Sequence, residues 1–410
     1  CIGAGLSAIC GRLWDGRGEC PYGDGILGGF ALRAWIAAPA ALFMLSGPAL
    51  AQDPHAGHGA PPPPAREQPA PTQTPPPAHD HGAMRHGADE ENLHHLPAPR
   101  PIGTLGAYAM SRDASGTAWQ PDASEHGGLH MMAGEWMLMG HALLNGVYDW
   151  QDGPRGDDKA FLAGMFMGAA RRDFAHGTLN LRAMVSPDPA MGARGYPLLF
   201  AAGETASGAD TLVDRQHPHD LIMELSASYA HRLGARDSVF FYAGLPGEPA
   251  FGPPTFMHRM SAADSPEAPI SHHWFDSTHI TFGVLTAGYV RGDWKLEASR
   301  FRGREPDEHR TDIESGALDS DAARLSWNPT ENWSLQASWA DITSPEALEP
   351  DEDETRLSVS GIYTRALGTG WFSTTFAFAN KESSDGVSRD AWLAEAALRP
   401  NTDSTLFARA

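Results

Sequence analysis

Trp333-Ser334-Leu335-Gln336-Ala337-Ser338-Trp339 sets an apolar side chain at every second position and a small polar one between. Successive side chains of an extended strand point to opposite faces, so this run reads as a strand with one greasy and one wet face. Phe372, Thr374, Phe376 and Phe378 interleave with Ser373 and Thr375 in the same way, and Trp392, Ala394, Ala396 and Leu398 with Glu395 and Arg399. From Gly134 onward the pattern predicts strands near 134–149, 159–172, 177–186, 220–233, 238–245, 276–291, 293–303, 320–328, 332–341, 355–366, 370–381 and 389–399. A further one begins at Ser404.

The connections sharpen the fold class. Short ones, such as Leu233-Gly234-Ala235-Arg236-Asp237, Arg291-Gly292-Asp293 and Pro400-Asn401-Thr402-Asp403, alternate with longer ones, two of which run to roughly thirty residues. Tight turns at one end and long loops at the other, with aromatics at segment ends, predict an all-β, antiparallel transmembrane β-barrel of twelve or more strands in the bacterial outer membrane. A soluble β-sandwich or propeller is the alternative. The chain stops inside an apparent strand at Ala410, so the barrel is expected to be truncated at its C-terminus, with closure needing further residues and a total of fourteen or sixteen strands. A hydrophobic content of 41% with negative mean hydropathy excludes a polytopic helical membrane protein and suits a barrel with a polar interior.

Upstream of the strands, Arg33 precedes an apolar run from Ala34 to Leu45, then Ser46-Gly47-Pro48 and the small-residue site Ala49-Leu50-Ala51. This is the layout of a secretory signal peptide, the run being short for a membrane anchor and broken by Pro39. The expected organisation is an upstream extension over 1–30, a signal peptide over 31–51, a disordered His/Pro-rich arm in the periplasm over 52–131 and the barrel over 132–410. The arm carries Pro61-Pro62-Pro63-Pro64 and Pro75-Pro76-Pro77 among His55, His58, His79, His81, His86, His94 and His95. Such composition cannot bury enough apolar surface to offset its ordering entropy, while its imidazoles suit Cu(II), Zn(II) or Ni(II).

A formal charge of -21 argues against nucleic acid as a partner and is compatible with metal cations. All three cysteines, Cys1, Cys10 and Cys20, precede the signal, so thiolate chemistry and a disulfide framework are excluded from the mature chain.

Polarity parity assigns inward faces to the strands. Met137, Met139 and His141 share the wet face of the first, Met165 and Met167 that of the second, and Met184 that of the third, whereas Met223 is expected to face lipid. Water-facing thioethers suit soft ions such as Cu(I). Packing against an inward-folded loop is the plainer reading. The long loops hold His217, His219 and Asp220, then Met257, His258 and Met260, then His272, His273 and His279. His, Met and carboxylate at these spacings fit a copper or zinc site, or else a hydrogen-bonded constriction shaped with Arg215 and Arg259. Asp276-Ser277 beside His279 lacks the His-Asp-Ser-Asn-Gly run of outer-membrane phospholipases, so no enzyme is expected.

The order of parts from Ala34 to Ala410 resembles that of the copper-resistance protein B type of outer-membrane protein, in which a Met- and His-rich segment precedes a barrel. The present arm is rich in His and poor in Met, with only Met84 and Met110 before Met131. The resemblance implies copper ions, Cu(I) or Cu(II), as ligands, with outer-membrane lipid and periplasmic metal-handling proteins as partners. The leading expectation is that the arm captures copper-like cations in the periplasm and the barrel wall relays them. A general solute porin or structural outer-membrane protein is the competing expectation.

Overall fold

The computed structural model describes residues 102–125, 127–203 and 212–410. The strands are β1 (Leu129–Ala133), β2 (Trp136–Trp150), β3 (Asp158–Asp173), β4 (Gly177–Val185), β5 (Tyr196–Gly203), β6 (Leu212–Gln216), β7 (Ile222–Arg232) and β8 (Asp237–Gly244). They continue as β9 (Val284–Arg291), β10 (Trp294–Phe301), β11 (Ser320–Thr330), β12 (Trp333–Ile342), β13 (Glu354–Leu367), β14 (Gly370–Ser383), β15 (Ser388–Asn401) and β16 (Ser404–Arg409). Fourteen of them form one antiparallel meander, while β5 and β6 form a separate hairpin in the β4–β7 connection.

Alternation decides which face is which. Along β10, Lys295, Glu297, Ser299 and Phe301 are buried while Trp294, Leu296 and Arg300 are exposed. Leu296 is 59% exposed and Lys295 0%, the inverse of a soluble protein's preference, and it identifies the outer face as the one that lipid covers. Ser373 and Thr375 point inward on β14 while Phe376 points out. Near the tight turns the outer face carries the stacked pair Trp294–Trp327 and the tilted pair Trp333–Tyr363, in the manner of an interfacial girdle. Gly292 makes the β9–β10 turn possible: its φ is 59°, and a Cβ there would lie 2.4 Å from the Arg236 guanidinium.

The sheet curls around its own connections. Residues 102–125, expected to belong to a disordered arm, are instead folded against the inner face. Arg182 of β4 donates to Gly116 O (2.7 Å), Ser238 of β8 to Leu105 O (2.6 Å), Arg324 of β11 to Thr117 Oγ1 (3.0 Å) and Ser334 of β12 to Trp119 O (3.2 Å). One short segment reaches inward-facing groups from β4 to β12 because those strands surround it. The physical reason is composition: this stretch has Leu105, Tyr108 and Trp119 to bury, which join Phe240 and Val290 in one cluster. The segments expected to form an upstream extension, a signal peptide and the arm up to residue 101 lie outside the described residues.

The long β8–β9 connection, 245–283, folds into the same hollow. Gly252 N donates to Ser338 Oγ (2.9 Å), and Arg259 to Glu395 Oε1 (2.7 Å). Buried charges at these levels form ion pairs, among them Lys295–Glu297 (2.8 Å), Arg324–Glu297 (2.9 Å) and Arg182–Glu224 (2.7 Å). The interior is therefore a packed polar core at these levels.

Three further expectations are corrected. β9 begins at Val284, not at residue 276, because the preceding residues form a helical turn, a 3-10 turn (Ser277–His279) and a short extended connection. β1 adds a strand before the first one expected. Met223 faces inward, buried to 1%, because the β4–β7 pairing slips between Met184 and Val185; the extra residue on β7 turns both Met223 and Glu224 to the inside.

Candidate metal centre

Two loops bring the histidines together. The β4–β7 connection supplies His219 from the end of the approach to β7, and Asp188 from a 3-10 turn (Asp188–Met191) near its start. The β8–β9 connection supplies α1 (His272–Phe275) and the 3-10 turn that ends at His279. Gly252 allows α1 to settle: with φ at 70°, it brings its own backbone against the Phe275 carbonyl, where a Cβ would lie 1.9 Å from the oxygen.

His219, His272 and His279 each offer one ligating atom within 4.8 Å of the other two. Their rings meet edge to face, His219–His279 at 5.2 Å and His272–His279 at 5.1 Å between centroids. Each Nδ1 is held from behind: His219 by Asp188 Oδ2 at 2.8 Å, His272 by Asp276 Oδ1 at 2.7 Å, and His279 by the Asp276 carbonyl at 2.7 Å. Carboxylate and carbonyl oxygens only accept, so each Nδ1 carries the proton and each Nε2 keeps its lone pair. The Nε2 atoms of His219 and His279 are buried without a hydrogen-bond partner.

Asp276 does double duty through side chain and backbone. Its Oδ2 also accepts from Phe256 N (3.0 Å) and Arg259 NH1 (2.8 Å). Burial disfavours its charge, but the His272 ring and the Arg259 guanidinium outweigh that and hold the carboxyl below the usual range. Burial lowers the proton affinity of His272, and lowers that of His279 much further with help from the neighbouring rings. Neutral, oriented imidazoles backed by carboxylates are what a ligating set requires. An ion 2.0–2.1 Å from three such nitrogens would hold them about 3.4 Å apart, closer than the 4.8 Å limit within which ligating atoms of the three rings lie here.

The remaining candidates separate into groups. His273 packs on His272 (5.3 Å between centroids) and lies 4.0 Å from Glu305, with His217 against it at 6.0 Å. Asp220 pairs with Arg310 at 3.3 Å, and burial pushes its carboxyl up to about 6 against the pull of Arg310 and His219. Met165, Met184 and Met257 pack with Met223 and Phe256 in one buried cluster, against which Met167 lies, and the Phe256 ring stacks on His219. Met137, Met139, His141, His258 and Met260 line a neighbouring cavity. Ser277 Oγ is engaged by Glu305 (3.2 Å) and Arg356 (2.9 Å) instead of by an imidazole. Asp188 was missed by the sequence reading, since nothing in Ser186-Pro187-Asp188-Pro189 links it to a histidine 31 residues on.

No protein-family model matches this chain, and no curated protein matches it, so the likeness to the copper-resistance protein B type rests on layout alone. Among solved structures, the chain is similar to OmpT (in-vitro folded), an outer membrane protein of Vibrio cholerae, with 9% identity and a TM-score of 0.30 over 66% of this chain and 83% of that one. A likeness this loose adds no argument to the sheet's own geometry.

Proposed function

We propose that this protein is an outer-membrane β-barrel that binds a transition-metal cation on His219, His272 and His279, in the service of metal homeostasis or resistance, with copper-like ions as the class. The carrying observation is the convergence of three buried imidazoles whose Nδ1 atoms are all held by acceptors, leaving Nε2 as the ligating atom. Buried side-chain polar atoms ordinarily have a hydrogen-bond partner, whereas the Nε2 atoms of His219 and His279 have none. In this reading the tight-turn end faces the periplasm, the compartment expected for the His-rich arm.

A general solute pore needs a water-filled bore. Segment 102–125 and the β8–β9 loop both fill the hollow, with Arg259, Arg324 and Arg356 buried to 0–1%, which favours a binding role. To test it, the full mature chain in detergent is loaded with Zn(II) or Cu(II), desalted and assayed for retained metal. Because the arm can also bind, the readout is the difference between variants. Replacing the three histidines by alanine should remove about one equivalent while the folded barrel persists on heat-modifiable electrophoresis. Equal retention by wild type and triple variant would overturn the proposal.

A further inference from the structure

Beside the three-histidine centre lies a cavity of about 170 Å³ whose wall carries thioethers and imidazoles at successive register positions of the sheet. His141 pairs with Met167 across β2 and β3, and Met167 with Met184 across β3 and β4. Directly opposite residues in an antiparallel pair share a face at about 4.5–5.5 Å between Cβ atoms, so these side chains form a continuous inward row. Met137 and Met139 extend the wall toward the tight turns along β2, two residues apart and on the same face as His141. The β8–β9 loop supplies the opposite side with Met257 and His258.

We propose that Met137, Met139, His141, Met167, Met257 and His258 form a second cation site, selective for a soft monovalent d10 ion such as Cu(I) or Ag(I). Thioether sulfur is uncharged, does not protonate, and favours soft ions over Zn(II), Mg(II) or Ca(II). A wall built for packing alone would have no use for the buried, unpartnered Nε2 of His258. The two guanidiniums on the wall do not oppose a cation with free charge, since Arg182 is tied to Glu224 (2.7 Å) and Arg171 to Asp173 (3.0 Å). Met260 contributes less, its sulfur already accepting from Glu125 N at 3.1 Å.

The location gives the site a direction. A larger opening bordered by Glu331 and Asn332 of the β11–β12 turn shares Met110, His130 and Met137 with this cavity, so the soft site faces the tight-turn end. On the other side, Met257 and His258 border a small void that His279 also lines. A soft ion entering from the tight-turn end therefore meets sulfur first and the histidine centre second. The two sites use different residues, and either can fail alone.

The test uses the full mature chain in detergent, titrated with Ag(I) as a redox-inert probe. Met139→Leu with Met167→Leu keeps volume and removes two sulfurs, and should weaken Ag(I) binding at least tenfold. Zn(II) retention by the three-histidine centre should stay within about twofold in the same variant. X-ray absorption at the silver edge should show sulfur neighbours in the wild-type chain. Undiminished Ag(I) affinity in the double variant, or a first shell of nitrogen and oxygen alone, would overturn the proposal whatever becomes of the Zn(II) centre.

Discussion

Asp188→Asn tests the orienting logic of the centre more sharply than deletion of a ligand. Asp188 accepts from His219 Nδ1 at 2.8 Å through Oδ2 and from Gly164 N at 3.2 Å through Oδ1. Asparagine keeps one acceptor only. If its oxygen stays with Gly164, its amide N–H faces His219 Nδ1 and drives the ring to the tautomer that carries its proton on Nε2, the atom needed for the metal. Loss of such a backing group typically weakens metal binding 10–100-fold, or about 1.4–2.8 kcal/mol. Competition against a chromophoric Zn(II) chelator measures this directly. Asp220→Asn is the neighbouring control, one residue from His219 but hydrogen-bonded to Arg310, and should weaken binding clearly less than Asp188→Asn does. Wild-type affinity in Asp188→Asn, or an equal loss in both variants, would refute the reasoning.

Other outcomes follow from the same geometry. Burial pushes the Glu248 carboxyl up to about 7, above its unfolded value, so its stabilising share is complete below about pH 4.3 and is lost as pH rises through 7. Glu248→Gln should remove a decline on the order of 3 kcal/mol between those limits, read as a flatter profile of melting temperature against pH. Gly252→Ala should lower both the melting temperature and Zn(II) retention, because the added Cβ collides with the Phe275 carbonyl behind α1. Leu296→Arg, on the lipid face, should cost about 2–4 kcal/mol in folding from urea into bilayers, whereas Ala298→Ser next along that face should cost far less.

Much of the sheet was legible because each strand has to satisfy lipid on one side and a polar interior on the other, which writes a period of two into the chain. Where another force overrides that period, the reading failed. Only Ile280, Thr281 and Phe282 alternate in the span 276–283 expected to open this strand, and Asp276 is drawn into His272, Phe256 and Arg259, so the chain turns instead of extending. Met223 obeyed the parity of its neighbours on paper, and a slip in pairing reversed it. The arm's boundary was drawn by its proline and histidine runs, while the aromatic side chains of 102–125 had the burial that folds a segment. For the site, the residue types in the loops were legible but their grouping was not: which three of the histidines converge depends on two connections meeting inside the barrel, and Asp188 belongs to a different loop from the His272–His279 stretch.

The most direct measurement is anomalous diffraction from crystals of the full mature chain loaded with Zn(II) or Cu(II). A single strong peak about 2.0–2.1 Å from the Nε2 atoms of His219, His272 and His279 is the predicted result. An empty centre with metal bound only elsewhere, under saturating metal and with the loops folded as described, would contradict the account.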